Sequence, residues 1–176
     1  MDRKVLAAAI KDAAYLEGDF VLRSGKRSKY YIDKYRFETQ PRILADLGRC
    51  FADHVGERTT LIAGAELGGV ALAAATSMAC DRPFIIVRNA RKDYGTGNLF
   101  EGVLSQGDQV LIVEDVATTG GQVLEAAKAI VDHGARVEKI VAVIDRQQGA
   151  RENIEGAGFA FDALFSSTDL GIGQPS

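Results

Sequence analysis

Apolar positions recur along this chain with two periods, helical and strand-like. Val5, Leu6, Ala9, Ile10, Ala13 and Leu16 fall at helical spacing over 4–16. Residues 20–23 and 29–37 then read as two short strands around a turn at Ser24 and Gly25. Pro41 opens a second helix, with Ile43, Leu44, Leu47, Phe51 and Val55 on one face. From there strands and helices alternate. TLIAGA at 60–65, PFIIVR at 83–88, QVLIVED at 109–115, VEKIVAVID at 137–145 and FAFDALF at 159–165 read as strands. Helices are expected at 69–79, 120–133 and 150–156, the second ending at Gly134, a C′ glycine. Only RNARKDYGTGNLFEG, 88–102, breaks the rhythm. It has three glycines and no apolar period, so it reads as a long exposed loop, a kind that is usually functional or mobile.

Strand–helix alternation of this kind predicts an α/β fold, a mainly parallel sheet with helices on both faces. Ligands of such sheets bind at the carboxyl ends of the strands. Three polar clusters fall there: 64–69, 88–95 and 114–121. The first 40 residues fit the rhythm poorly and, together with the C-terminal end, are expected to cap the sheet as a hood. No internal repeat or linker divides the 176 residues, a length that suits one domain with a sizeable core.

Composition narrows the classes. Hydrophobic residues make up 47% and charged residues 26%, which excludes a disordered chain. A net charge of -3 gives no electrostatic case for nucleic acid or a membrane surface. Runs such as VALAAA at 70–75 are too short to span a bilayer, and MDRKVLAAAI lacks the apolar region of a signal peptide, so the expected location is the cytoplasm. Cys50 and Cys80 form no CxxC and read as free thiols in helix packing. His54 follows Cys50 by four residues, but no further ligand has metal-site spacing.

The candidate chemistry centres on VLIVEDVATTGGQ, Val110 to Gln122. A loop entering a helix N-terminus is a ready phosphate site. Gly120 and Gly121 let the backbone approach closely, and Thr118 and Thr119 add hydroxyls. Glu114 and Asp115 cannot face the same phosphate; sugar hydroxyls or a Mg²⁺ shell would satisfy them. The ligand should therefore carry a phosphate at one end and hydroxyls nearby, as a ribose 5-phosphate does. The plainer alternative is an ordinary helix start with an acidic N-cap. P-loop, dinucleotide, GxSxG and HExxH patterns are absent from the sequence.

These residues resemble the signature of the type I phosphoribosyltransferases, which bind 5-phosphoribosyl 1-pyrophosphate (PRPP). The resemblance implies the fold of that family. It implies that Glu114 and Asp115 meet the ribose hydroxyls, and that Val116, Ala117, Thr118, Thr119, Gly120, Gly121 and Gln122 hold the 5-phosphate side. Other motifs, in matching order over nearly the whole chain, are similar to the orotate phosphoribosyltransferases: LRSGKRSKYYID at 22–33, RNARKDYG at 88–95, IDRQQGA at 144–150 and STDLG at 167–171. On that resemblance Arg88, Lys92 and Tyr94 grip pyrophosphate from a mobile loop that reaches into the neighbouring protomer of a homodimer, and Lys92 matters most for catalysis. Arg146, Thr118, Tyr30, Tyr31 and Arg23 lie at the orotate side, the tyrosines largely through their backbone. Magnesium is the implied cofactor, held by PRPP and water rather than directly by side chains.

The chain departs from the family pattern twice. Asn89 and Gly68 stand where lysine is frequent or occurs, which lowers the positive charge available to pyrophosphate and leaves more of that load to magnesium. Plainer readings exist for single residues: solvated charge for Arg88, Arg91 and Lys92, an ion-pair partner for Arg146, core packing for Tyr30 and Tyr31. The implied reaction converts orotate and PRPP to orotidine 5-monophosphate and pyrophosphate in pyrimidine synthesis. The rivals are a phosphoribosyltransferase for another base and a PRPP-binding regulator.

Overall fold

Each apolar stretch expected as a strand from residue 60 onward becomes a strand of one sheet. The computed structural model describes residues 2–21, 25, 27–89 and 99–172. Helix α1 (Arg3–Ala14) leads into β1 (Tyr15–Val21) and β2 (Arg27–Ile32), then α2 (Lys34–Glu38) and α3 (Pro41–Ala52). There follow β3 (Leu61–Ala65), α4 (Gly68–Cys80), β4 (Phe84–Val87), β5 (Phe100–Glu101) and β6 (Gln109–Ala117). The chain ends in α5 (Gly121–Asp132), β7 (Arg136–Asp145), α6 (Ala150–Gly156) and β8 (Phe161–Ser166). Strands β1 and β2 pair antiparallel as a sheet of their own, while the main sheet runs β5-β4-β3-β6-β7-β8. All neighbours in it are parallel except β5 on β4.

Strand periodicity divides the apolar residues between the two faces. Leu61, Ala63, Val110, Ile112, Ile140 and Ala142 pack with Val123, Ala127 and Ile130 of α5 and with Ile154 of α6. Ile62, Leu111, Val113, Val141 and Val143 pack with Leu6 and Ile10 of α1, Phe37 of α2, Leu47 and Phe51 of α3, and Leu72 of α4. Burial on both sides is why these strands read as continuous apolar runs rather than alternating ones. The second cluster also takes in Leu164, Phe165, Leu170 and Ile172, so α1 and the end of the chain share one core. Arg3 lies over the Phe165 ring, 4.8 Å from its centroid.

Several expected elements are corrected. Helix α1 ends at Ala14, so Leu16, expected on its apolar face, lies in β1, which begins at Tyr15 rather than at residue 20. The stretch 29–37 is not a single strand: β2 ends at Ile32, and Asp33, in an extended conformation, caps a short helix. That helix sinks Phe37 into the core and turns Lys34 and Glu38, four residues apart, to one side. Five residues are too few to show a helical period, so apolar Tyr35 and Phe37 mimic strand alternation. The helix opened by Pro41 is accordingly the third. The polar stretch 88–102 is not loop throughout, since Phe100 and Glu101 pair with Val87 and Ile86. His54 lies beyond the end of α3, its Nδ1 3.8 Å from Asp162, and both cysteines are free and half-buried. Among the described residues no helix is long and apolar enough to cross a membrane.

Candidate active site

Strand β6 carries Glu114 and Asp115 past the core and ends at Ala117. Gly120 then caps α5 with φ 77, a left-handed conformation, and a Cβ there would lie 2.9 Å from Ile154 Cγ1. Both conformation and space therefore demand glycine. No side chain among the described residues caps the first N–H groups of α5, which leaves them available to an anion. A cleft of about 450 Å³ opens at this point. Glu114 through Val123 line it, with Arg146 and with Tyr31, Lys34 and Tyr35. The structure thus brings together Tyr31, Arg146 and the whole segment from Glu114 to Gln122. Arg23, Lys92 and Tyr94 lie outside the described residues.

At the acidic end the carboxylates are buried. Asp115 is 2% exposed; its Oδ1 accepts from the Val116 N–H and its Oδ2 from Lys34 Nζ, each at 2.5 Å. Glu114 has no hydrogen-bond partner for Oε2 among the described residues. Burial, and then the charge of Asp115, push its carboxyl well above the usual carboxylate range. Glu38 is 2% exposed and its Oε1 is likewise unpartnered. Burial, then Asp115, raise it from 4.5 to about 8, against an opposing pull from Lys34. Burial lowers the Lys34 ammonium, but Asp115, with smaller help from Tyr35 and Glu114, outweighs it and the net shift is upward. Lys34 and Glu38 escaped the sequence reading because their segment looked like a strand. The signal was there as a lysine and a glutamate four apart between Asp33 and Pro41.

Glu38 makes stability depend on pH. The folded protein keeps a proton there between 4.5 and about 8 that the unfolded chain releases, so stability falls as pH rises through that window. Glu38→Gln, a neutral mimic, should flatten the dependence and be the more stable protein at pH 8. A gain of about 2 kcal/mol, a few degrees in Tm, is expected. Thermal melts of both proteins at pH 5 and pH 8 check this; a parallel fall of the two would refute it.

The turn before α4 lies against the same acids. A Cβ on Gly68 would sit 1.5 Å from Asp115 Oδ2, so this carboxylate packs directly on the glycine backbone. The neighbouring Glu66 accepts from the Asn89 N–H at 2.8 Å and lies 4.0 Å from Arg88 Nη1. Arg88 also reaches Glu101 at 3.5 Å. Gln122 Nε2 donates to the Glu66 carbonyl and to Asn89 Oδ1, both at 2.9 Å. Asn89 thus joins the start of the 88–102 segment to α5 and to the Glu66 turn. Arg88 and Asn89 face a second, smaller cleft of about 200 Å³ that shares Gln122 with the first.

Across the main cleft, the Arg146 N–H donates to the Ala117 carbonyl at 2.9 Å, which fixes this residue beside the phosphate-type loop. Its Nη2 donates to the Tyr30 hydroxyl at 3.3 Å, and Tyr30 in turn stacks on Tyr15, centroids 5.6 Å apart. Tyr30 therefore props the arginine, whereas Tyr31, 44% exposed and against Phe20, lines the cleft itself. A cationic group, a helix N-terminus and a buried acid cluster around one cavity suit a ligand with anionic ends and a hydroxylated middle.

Comparison with known proteins agrees. Residues 35–169 match the family model of the phosphoribosyl transferase domain. The orotate phosphoribosyltransferase of Haloquadratum walsbyi is 45% identical over 166 residues, 94% of this chain and 90% of that protein. The crystal structure of the orotate phosphoribosyltransferase of Mycobacterium tuberculosis H37Rv superposes with a TM-score of 0.88 at 32% identity, covering 98% of this chain and 100% of that one. The same enzyme solved in complex with PRPP gives a TM-score of 0.84 at 31% identity, again over 98% and 100% of the two chains. The chain belongs to the phosphoribosyltransferases and, among them, to the orotate phosphoribosyltransferases.

Proposed function

We propose that the protein transfers the ribose 5-phosphate of PRPP to a ring nitrogen of orotate, releasing pyrophosphate and forming orotidine 5-monophosphate, in the cytoplasm. The observation that carries this reading is the single cleft in which buried Glu114 and Asp115 face the uncapped start of α5, with Arg146 alongside. The acids receive the ribose hydroxyls, while Thr118, Thr119 and the N–H groups up to Gln122 receive the 5-phosphate. Arg146, held by Tyr30, pairs with the orotate carboxylate, with Thr118, Tyr31 and Arg23 on the same side.

Displacement at the anomeric carbon builds positive charge on the ribose and negative charge on the departing pyrophosphate. Glu114 and Asp115 suit the first; Arg88, Lys92 and Tyr94 suit the second. Mg²⁺, if bound, would supply positive charge towards the leaving pyrophosphate, and on this reading PRPP and water rather than side chains would hold it. The unpartnered Oε2 of Glu114 fits that arrangement, since it is left to accept from a ribose hydroxyl. We further propose a homodimer in which residues 88–102 of each protomer complete the neighbour's site and exclude water on closure.

The test is direct. Protein, PRPP and Mg²⁺ are mixed with orotate, uracil, hypoxanthine or adenine, and the ultraviolet absorbance of each base is followed. Change with orotate alone is expected. Consumption of another base instead, or PRPP binding with no turnover of any base, would overturn the reading.

A further inference from the structure

Three carboxyl groups and one ammonium meet at the acidic end of the cleft. Lys34 Nζ sits 2.5 Å from Asp115 Oδ2, while Glu38 and Glu114 each hold a buried oxygen with no partner among the described residues. From the other side Oδ2 is closed off by the backbone of Gly68, where even a Cβ would lie 1.5 Å away. The Asp115 carboxylate is therefore walled by a glycine and stoppered by a lysine. The stopper is reachable from the cleft, which Lys34 lines. Lys34 lies on a five-residue helix, its side chain is 34% exposed, and its ammonium also stands 5.3 Å from the Tyr35 ring centroid.

Ribose hydroxyls must reach the same acids. Asp115 Oδ1 is already engaged by Val116 and Oδ2 by Lys34, with Gly68 against Oδ2 from the other side, so a hydroxyl approaching Oδ2 competes with the ammonium for it. A buried carboxylate left unpaired is costly, and this exchange avoids that state before and after binding. Neither Gly68 nor Asn89 brings a charge to the cleft, whereas a lysine on a four-carbon stem can carry its charge a few ångströms without leaving it. We propose that Lys34 is a substrate-displaced counter-ion: it neutralises Asp115 in the free protein, yields that carboxylate to the ribose hydroxyls of PRPP, and turns its ammonium towards the ligand's phosphate groups. This rests on PRPP being the cosubstrate. It makes Lys34 a residue that sets PRPP affinity, positioned from α2 rather than from the phosphoribosyltransferase signature.

The charged and titratable groups around Lys34 are Tyr35 and Glu38 from its own helix and Glu114 and Asp115 from β6, and Asp33 acts on Glu38. Removing the ammonium leaves an all-acidic cluster, which should take up protons at higher pH and receive an anionic ligand poorly. The test uses Lys34→Met, Lys34→Gln and Lys34→Arg, with calorimetric titration of PRPP and Mg²⁺ and separate KM values for PRPP and orotate. Lys34→Met should weaken PRPP binding about tenfold or more and leave the KM for orotate unchanged. It should also move the acid limb of the PRPP-affinity profile to higher pH, and Lys34→Arg should restore most of the affinity. If Lys34→Met loses its cooperative melt, Lys34→Gln is read by the same criteria. Unchanged PRPP affinity and pH profile, or equal rises in both KM values, would overturn the role of Lys34 while parental turnover of orotate still stood. A parent that binds no PRPP would overturn the cosubstrate along with it.

Discussion

Asp115→Asn should lower kcat/KM for PRPP by about 100- to 1,000-fold, the size expected when one preorganised charge facing a charged transition state is lost. Asp115 is nearly inaccessible to solvent and both of its oxygens are engaged, so its position is fixed before any ligand arrives. Asparagine keeps the shape but not the charge. The ribose hydroxyls then lose an anionic acceptor, the positive charge developing on the ribose loses its counter-charge, and Lys34 loses its partner. The melting temperature should move by only a few degrees, because removing Asp115's charge also relieves Glu38 and Glu114 of a repelling neighbour. Steady-state kinetics with PRPP varied, beside a thermal melt, decide the matter. A loss smaller than about threefold with an intact melt would remove Asp115 from the ribose site.

Lys92→Ala should depress kcat by a comparable factor, about 100-fold or more, with the melt unchanged. On the proposed mechanism it faces the pyrophosphate as negative charge accumulates there, and Arg88, whose charge is shared with Glu101 at 3.5 Å and Glu66 at 4.0 Å, makes up only part of the loss. Mixing Lys92→Ala with Asp115→Asn tests whether the segment is donated across a dimer. A mixed dimer would hold one site with both lesions and one with neither, so random assortment should restore about a quarter of the parental activity. No recovery, with mixed dimers demonstrated, would place Lys92 in its own protomer's site.

Much of this was legible along the chain. The strands at 60–65, 109–115 and 137–145 are buried on both faces, and burial on both faces writes itself into sequence as an unbroken apolar run. Glu114 and Asp115 were legible for the converse reason: two acids at the end of such a run contradict the core and call for a ligand. The glycines of the phosphate-type loop carry their own signal, since Gly120 adopts a backbone conformation that other residues avoid. The family resemblance rested on these local, contiguous features, and relatives at 45% identity bear it out.

Lys34 and Glu38 were not legible in that way. Nothing near them in sequence explains a lysine and a glutamate beside Phe37, because their partners are some 80 positions distant in the chain, as the Lys34–Asp115 pair shows with a separation of 81. The meaning of Gly68 was half legible: the missing lysine could be seen, but not that Asp115 fills the space against it. Asn89 reads as a lost charge in the sequence and becomes, once folded, a hydrogen-bonded junction between Gln122 and Glu66. Periodicity and backbone conformation are properties of neighbours along the chain, so the sheet, the phosphate-type loop and the acid pair can be read along it. Which cation neutralises those acids, and which arginine is propped by which tyrosine, are properties of neighbours in space. Only the packing of α2 against β6 and of β2 against the end of β7 decided them.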